Sequence, residues 1–461
     1  MAMPISAPGS MRSIDKQIFD IAVPSIVSNI TVPLLGLVDV AITGHLGAAS
    51  YIGAVALSGI LFNIIYMNFG FLRMGTSGLT AQSFGRSDKD NIVRLLARGL
   101  SVSASLALLL ILLQIPIREA AFLVMQPTET VRQFATTYFN ICIWGAPAML
   151  GQFALTGWFI GMQNSRIPMT IAIAQNIVNI AASLLLVYGV GMRVEGIALG
   201  TLTAQWCGFL MGLLMCRRKY FAGNKTFGKL HTLTYYLSPN TGKDNAATTS
   251  YKQFFVLNRD IFLRTLCIVS VLLFFTSAGS WQGETILAVN TLLTQLYMLV
   301  SYIMDGFANA GEALSGKFHG ERKKSHISLT VRRIFFWGAA ASVAFTAAYI
   351  AGGKQFLMLL TDERSVVGAS MEYVVWAYLL PLCSVAAFMW DGVFIGLTAS
   401  RQMLRSMLIA TAVFFTVYFL TSATMGNHGL WLAMICFLAI RGVVQTMLYP
   451  GIIRRASASY G

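Results

Sequence analysis

Apolar residues run through this chain in long blocks, with polar residues gathered between them. Segments of twenty or more mostly apolar residues recur from end to end, each long enough as a helix to cross about 30 Å of hydrocarbon. The pattern predicts twelve membrane-spanning helices, at roughly 17–42, 52–83, 92–114, 131–161, 167–189, 195–216, 256–279, 285–317, 327–351, 371–397, 402–424 and 429–452. A transmembrane barrel would show alternating segments of about ten residues instead. The longest polar stretch, "CRRKYFAGNKTFGKLHTLTYYLSPNTGKDNAATTSYK" (216–252), divides the spans six and six. The expected domains are therefore an N-terminal six-helix bundle (1–216), a cytoplasmic linker (217–255) and a C-terminal six-helix bundle (256–461).

The two sides are related in sequence at a constant offset of 235 residues. "GWFIGMQNSR" (157–166) lies over "GVFIGLTASR" (392–401), and the same offset pairs Gly85 with Gly320 and Tyr138 with Tyr373. Because six spans bring each half in from the same side, the relation is a parallel repeat about the membrane normal. Such a repeat places a substrate cleft between two bundles. The predicted fold class is an all-α integral membrane protein, with twelve transmembrane helices in two pseudo-symmetric six-helix bundles around a central cavity.

Composition agrees with this and removes other classes. Only 11% of the 461 residues are charged and 56% are hydrophobic, whereas a soluble protein sits near a quarter charged. The net charge of +15 is a topological signal. Arg118, Arg132, Arg193, Lys354 and Arg364 fall on one side of the predicted membrane, and Arg73 and Arg441 fall within spans. The other 26 of the 33 basic residues fall on the opposite side with both termini, which the positive-inside rule assigns to the cytoplasm. Nucleic acid is thus not expected as a partner; membrane lipid is. The six cysteines sit in or at the ends of spans without paired spacing, and read as packing residues. The first fifteen residues lack the apolar core of a cleaved signal peptide.

One motif-like stretch carries no chemistry. "GNKTFGKL" (223–230) has the glycine–lysine spacing of a phosphate loop, but Leu230 stands where a metal-binding hydroxyl is needed and no strand precedes it. The five histidines form no ligand cluster. With no nucleotide site and no convergent acid–base or metal set, the expectation is transport without a cofactor rather than an enzyme, passive or driven by an ion gradient.

"VDVAITGHLG" (38–47), "FLRMGTSGLTAQSFGR" (71–86), "DGFANAGEALSGKFHG" (305–320), "DGVFIGLTASRQM" (391–403) and "NHGLWLAMICFLAIRGVVQ" (427–445) lie in both halves. Together they resemble the DinF branch of the multidrug and toxic compound extrusion (MATE) family, over nearly the whole chain. The resemblance implies two six-helix bundles facing a central cavity. It also implies export of hydrophobic or cationic small molecules from a bacterial inner membrane, by exchange with protons or sodium ions, as a monomer.

Four acids fall well inside spans: Asp39, Asp305, Glu312 and Asp391. A charge there marks an ion path or a structural pair. At the 235-residue offset Asp39 meets Phe274 and Asp391 meets Thr156, so neither acid is demanded by the repeat. Asn176, Asn179 and Ser183 form one polar stripe on the fifth span, while Tyr138 and Thr201 come from the fourth and sixth. In archaeal-type members of the resembled family the stripe carries a second aspartate at the position of Ser183, and its loss here favours protons over sodium. The expected ion-coupling set is Asp39, Asn179, Asn176, Tyr138 and Thr201. Pro24 and Pro33 are the expected bend points of the first span. Arg73 and Arg441, the only cations read as intramembrane, are expected to pair with Asp305, Glu312 and Asp391 as an inner gate or as a structural network. The rival readings are a sodium-coupled exporter and a lipid-linked saccharide flippase, and the flippase would need more intramembrane arginines than these two.

Overall fold

The computed structural model describes residues 11–46, 48–222, 251–361 and 363–458. Fifteen α-helices account for nearly all of them, and no strand occurs among the described residues. They are α1 (Met11–Gly44), α2 (Ala49–Met67), α3 (Phe71–Gly85), α4 (Lys89–Leu112), α5 (Gln114–Met125), α6 (Glu129–Cys142), α7 (Ala146–Gly161), α8 (Arg166–Leu184) and α9 (Val194–Cys216). After most of the expected linker, which lies outside the described residues, come α10 (Tyr251–Ser280), α11 (Glu284–Gly320), α12 (Lys324–Leu360), α13 (Arg364–Gly396), α14 (Ser400–Met425) and α15 (Asn427–Ala458). Among the described residues, ten helical stretches are long and apolar enough to cross a membrane. α1 and the consecutive pair α6–α7 cover the other two predicted spans.

Two predicted spans are interrupted. The second splits into α2 and α3 at Asn68–Gly70, and the fourth into α6 and α7 around a 3₁₀ turn at Ile143–Gly145. Pro147 sits in the first turn of α7, where its missing N–H costs nothing. The counterparts α11 and α13 run unbroken, although α13 holds Pro381 in its interior. The stretch between the third and fourth predicted spans forms a helix, α5, that leaves Leu123 and Val124 largely exposed.

The chain forms two compact units, one of residues 27–251 and one of residues up to Ile26 together with 252–461. The division therefore falls inside α1 as well as at the linker. Within the second unit the first turns of α1 are held firmly. Arg333 donates from Nε and an Nη to the two carboxylate oxygens of Asp15 at 2.7 and 2.5 Å, and the Trp337 indole adds a bond of 3.0 Å. Phe19 packs edge-on against Phe307 and Trp337. Pro24 and Pro33 both lie inside α1, which is helical without interruption from Met11 to Gly44.

The internal repeat is built from the same contacts in both units. A Cβ added at Gly157 would collide with the Arg73 backbone carbonyl, and one at Gly392 with that of Ala308. Gly161 meets Ser77 and Thr80, while Gly396 meets Glu312 and Ser315. Every one of these pairs is related by 235 residues. The shared glycines thus let α7 cross α3, and α13 cross α11, at backbone contact.

Helix ends repeat too. Ser87 and Arg322 have φ of 56° and 60°, and Gln163 and Thr398 have φ of 61° and 53°. The bonds Asp88 N–H to Ser83 C=O (3.0 Å) and Lys323 N–H to Phe318 C=O (2.9 Å) close the same left-handed cap in each unit.

Candidate functional site

Asp39 lies five residues before the end of α1 and is 4% exposed. Its Oδ2 accepts a hydrogen bond of 3.0 Å from the Thr201 hydroxyl on α9. Thr201 Oγ1 in turn accepts from the Asn179 amide of α8 at 3.1 Å, so Asn179 is tied to the carboxylate through Thr201. Tyr138 of α6 is buried within hydrogen-bonding reach of Thr201 and Cys142, and both Tyr138 and Cys142 feel the Asp39 charge. Thr43 donates back to the Asp39 backbone carbonyl, one helical turn away. The second carboxylate oxygen, Oδ1, is buried with no protein partner, as are Asn179 Oδ1 and Ser183 Oγ. An ionised carboxylate with one oxygen unpartnered out of water is costly unless a cation or a proton joins it.

Four of the five predicted coupling residues, Asp39, Asn179, Thr201 and Tyr138, meet in this one place. Asn176 is brought elsewhere. Its amide donates at 2.7 Å to the backbone carbonyl of Thr31, eight residues before Asp39 and so roughly 12 Å down the helix. That carbonyl precedes Pro33 by two residues, in a part of α1 where the proline removes a backbone donor. Cys142 was missed from the sequence; it lies one turn from Tyr138 on α6 and donates weakly to the Ala198 carbonyl at 3.6 Å.

The acids of the other unit are arranged differently. Asp391 Oδ2 takes hydrogen bonds from Arg264 of α10 and, at 2.7 Å, from Arg441 of α15. Gln445 donates to Oδ1 at 2.8 Å. Arg264 and Arg441 are 5% and 4% exposed. Asp305, half-buried on α11, lies within electrostatic reach of Arg264. Glu312 is buried further along α11.

This corrects the expectation that Arg73 and Arg441 are the only intramembrane cations. Arg264 was counted with the cytoplasmic charges, yet it stands nine residues inside the predicted span and is buried on Asp391. Arg73 is half-buried on α3 and belongs to the unit that does not contain the three acids.

At the repeat offset, Asp39, Asn179 and Ser183 correspond to Phe274, Phe414 and Tyr418. In the second unit these rings pack edge-on, with centroids 6.0 Å apart for Phe274–Phe414 and 4.9 Å for Phe274–Tyr418. One unit fills the position with aromatic packing, and the other leaves carboxylate, amide and hydroxyl there.

Comparison with known proteins fits the duplicated plan. A family model described as MatE matches residues 24–185 and again residues 261–420. The chain belongs to the MatE family. It is 35% identical over 433 residues to "DNA damage-inducible protein F" of Escherichia coli (strain K12), covering 94% of this chain and 91% of the relative. It is 22% identical over 443 residues to "Probable multidrug resistance protein NorM" of Acinetobacter baylyi, covering 94% and 95%.

The MatE fold is found in solved structures at lower identity. "Crystal structure of MATE in the bent conformation" superposes with a TM-score of 0.84 at 18% identity, covering 96% of this chain and 97% of that one. A structure described as an "outward-facing conformation of a multidrug resistance MATE family transporter" has a TM-score of 0.80 at 19% identity, covering 99% of each chain.

Proposed function

We propose that this MatE chain exports hydrophobic, often cationic small molecules across a bacterial inner membrane in exchange for protons, with Asp39 as the proton carrier. The relatives support the transport class, one of them being described as a multidrug resistance protein. The contrast between two buried acids supports the carrier. Asp391 is neutralised by two guanidiniums. Asp39 has only hydroxyl and amide company and one oxygen without a protein partner. Its charge is therefore one that a proton from outside can remove.

In the cycle we infer, a proton entering from outside bonds to Asp39 Oδ1 while Thr201 keeps its bond to Oδ2. The carboxyl loses its charge and with it the attraction for a cationic substrate, which leaves. Pro24 and Pro33 give α1 places to bend as the site changes its access. Opening inward lets the proton depart and restores the charge that draws the next cation. Substrate and proton thus compete for one carboxylate. The excess of basic residues on one side of the spans supports placing both termini in the cytoplasm.

Sodium is the second reading, and one observation favours it. Asp39 Oδ1, Asn179 Oδ1 and Ser183 Oγ are buried oxygens with no protein partner, the donor type a hard cation takes. Efflux from vesicles containing the reconstituted protein, under pH and sodium gradients imposed separately, decides between the two. We expect the pH gradient alone to drive efflux in the wild type and to fail with Asp39→Asn. Efflux that follows sodium alone would remove the proton and leave the exporter. Full pH-driven efflux in Asp39→Asn would remove Asp39.

A further inference from the structure

Below Asp39 the unit of residues 27–251 holds a descending series of amides that the coupling site does not use. One turn along α8 from Asn179, toward its Arg166 end, stands Gln175, 9% exposed. One turn along the antiparallel α9 from Thr201, in the same direction, stands Gln205, 7% exposed. Gln175 Oε1 accepts a bond of 2.9 Å from the Gln152 amide of α7. Each rung is seated against a glycine. A Cβ at Gly145 would collide with Gln205 Oε1, and one at Gly208 would lie 2.9 Å from Gln175 Oε1 and 3.1 Å from Gln152 Oε1. The same relation holds above the series, where Gly200 faces the Ser183 hydroxyl. Three glycines thus make room for polar side chains between apolar helices.

The series has two ends. Its upper end is Asp39 with Asn179. Its lower end is Gln152, the first member that is not nine-tenths buried. Past that level the helices close: Leu155 and Ile171 are each 1% exposed, and both approach Gly212. Along the way Asp39 Oδ1, Asn179 Oδ1, Gln205 Oε1 and Gln152 Oε1 are buried acceptors without a protein partner. An amide cannot relay a proton, but unpaired acceptors about a turn apart hold and orient water, which can. Apolar packing would serve the fold equally well here. At the repeat offset Gln152, Gln175 and Gln205 become Ala387, Ala410 and Ile440.

We infer that Gln175, Gln152 and Gln205 are positioning residues for a water-filled release path, by which Asp39 loses its proton toward the Arg166 end of α8. This rests on the reading of Asp39 as the proton carrier. In the step concerned, the carboxyl O–H bond breaks and its electron pair stays on Asp39. The proton joins a water held by Asn179 and Gln205, and a proton leaves from a water at Gln175 and Gln152.

The test uses the full-length protein in liposomes, with Gln175→Leu and Gln152→Leu compared with Gln175→Asn. Proton-driven efflux should slow about tenfold in the leucine variants and return to within about twofold of the wild type in the asparagine variant, as expected when one water-holding bond is lost and regained. The solvent deuterium isotope effect on efflux should rise in the slowed variants, because proton release then limits turnover. Substrate affinity at pH 8 and the thermal midpoint should stay at wild-type values.

Wild-type rates in both leucine variants would overturn the inference. So would slow efflux that tracks a lowered thermal midpoint without a change in isotope effect, since that is a packing defect. Asp39→Asn is run alongside. If it keeps pH-driven efflux the carrier reading falls first; if it abolishes efflux while the leucine variants are unaffected, only the path falls.

Discussion

Replacing Asp391 by asparagine should destabilise the protein severely without uncoupling transport from the proton. The substitution keeps the shape of the side chain and removes the charge that the guanidiniums of Arg264 and Arg441 share. Those side chains are 6% and 5% exposed, so water cannot take over. Removing one partner of a buried pair costs about 3–5 kcal/mol, because the remaining charge is left buried and uncompensated. Here two cations are left, with Asp305 near enough to offset part of the loss, so the middle of that range is the working figure. For a cooperative unit of this size, each kcal/mol lowers the midpoint by about 2–4 °C, giving a fall of roughly 8–16 °C.

Thermal unfolding of the purified protein in detergent measures this directly. The reasoning makes a second demand. Arg264→Met, Asp391→Leu and Arg441→Met combined remove both signs of charge at similar volume, and should recover most of the lost stability. A single Asp391→Asn variant that melts with the wild type, or a triple variant no better than the single one, would refute the view of this cluster as mutual neutralisation. If the folded fraction of Asp391→Asn lost its response to pH, the assignment of Asp39 as sole carrier would have to be revised.

Gly392→Ala places a methyl group against the Ala308 carbonyl, and should cost about 1–3 kcal/mol as α13 is pushed off α11; the yield of folded protein and its melting point report it, and an unchanged midpoint would show that the crossing is loose. Glu119 of α5 accepts hydrogen bonds from Arg118 and Arg132, which hold its carboxyl below the usual carboxylate range. A lowered carboxyl contributes stability that is present above its ordinary titration range and is lost as pH falls through its own lower value. Glu119→Gln should therefore leave the melting profile between pH 5 and pH 8 flat, because the group is exposed and screened by salt; a pH-dependent difference in that window would mean that the pair does more than decorate the surface.

The parts of this molecule that could be read from sequence are those set by local or periodic constraints. Apolar blocks gave the spans, and the glycines of "GWFIG" and "GVFIG" gave the repeat, because a backbone contact tolerates no other residue there. Asp39, Asn179, Thr201 and Tyr138 were found because a polar group inside an apolar span is conspicuous on its own. What failed were questions of partnership. Nothing in the spacing says that Arg264 meets Asp391 across 127 residues, or that Asn176 turns to the α1 backbone rather than to the carboxylate. The placement of the first turns of α1 with the C-terminal helices was equally hidden, since it depends on Asp15 meeting Arg333, more than three hundred residues away. The break between α2 and α3 left no mark stronger than "NFG", a polar residue and a glycine in an apolar run.

The repeat itself supplies the strongest argument that the polar residues serve function. The two units use one set of crossings and one set of helix caps, at positions 235 residues apart, so both satisfy the same packing problem. Where the first unit has Asp39, Asn179 and Ser183, the second packs Phe274, Phe414 and Tyr418 against one another. Aromatic side chains are therefore a sufficient solution for the fold at that place. A buried carboxylate with an oxygen that no protein group meets is a poor one, carrying a desolvation cost that the alternative avoids. The first unit bears that cost at Asp39 and along the amides beneath it, while the second holds Asp391 between two arginines. Stability explains the second arrangement and does not explain the first, and the first is where the proposed proton exchange has its carrier.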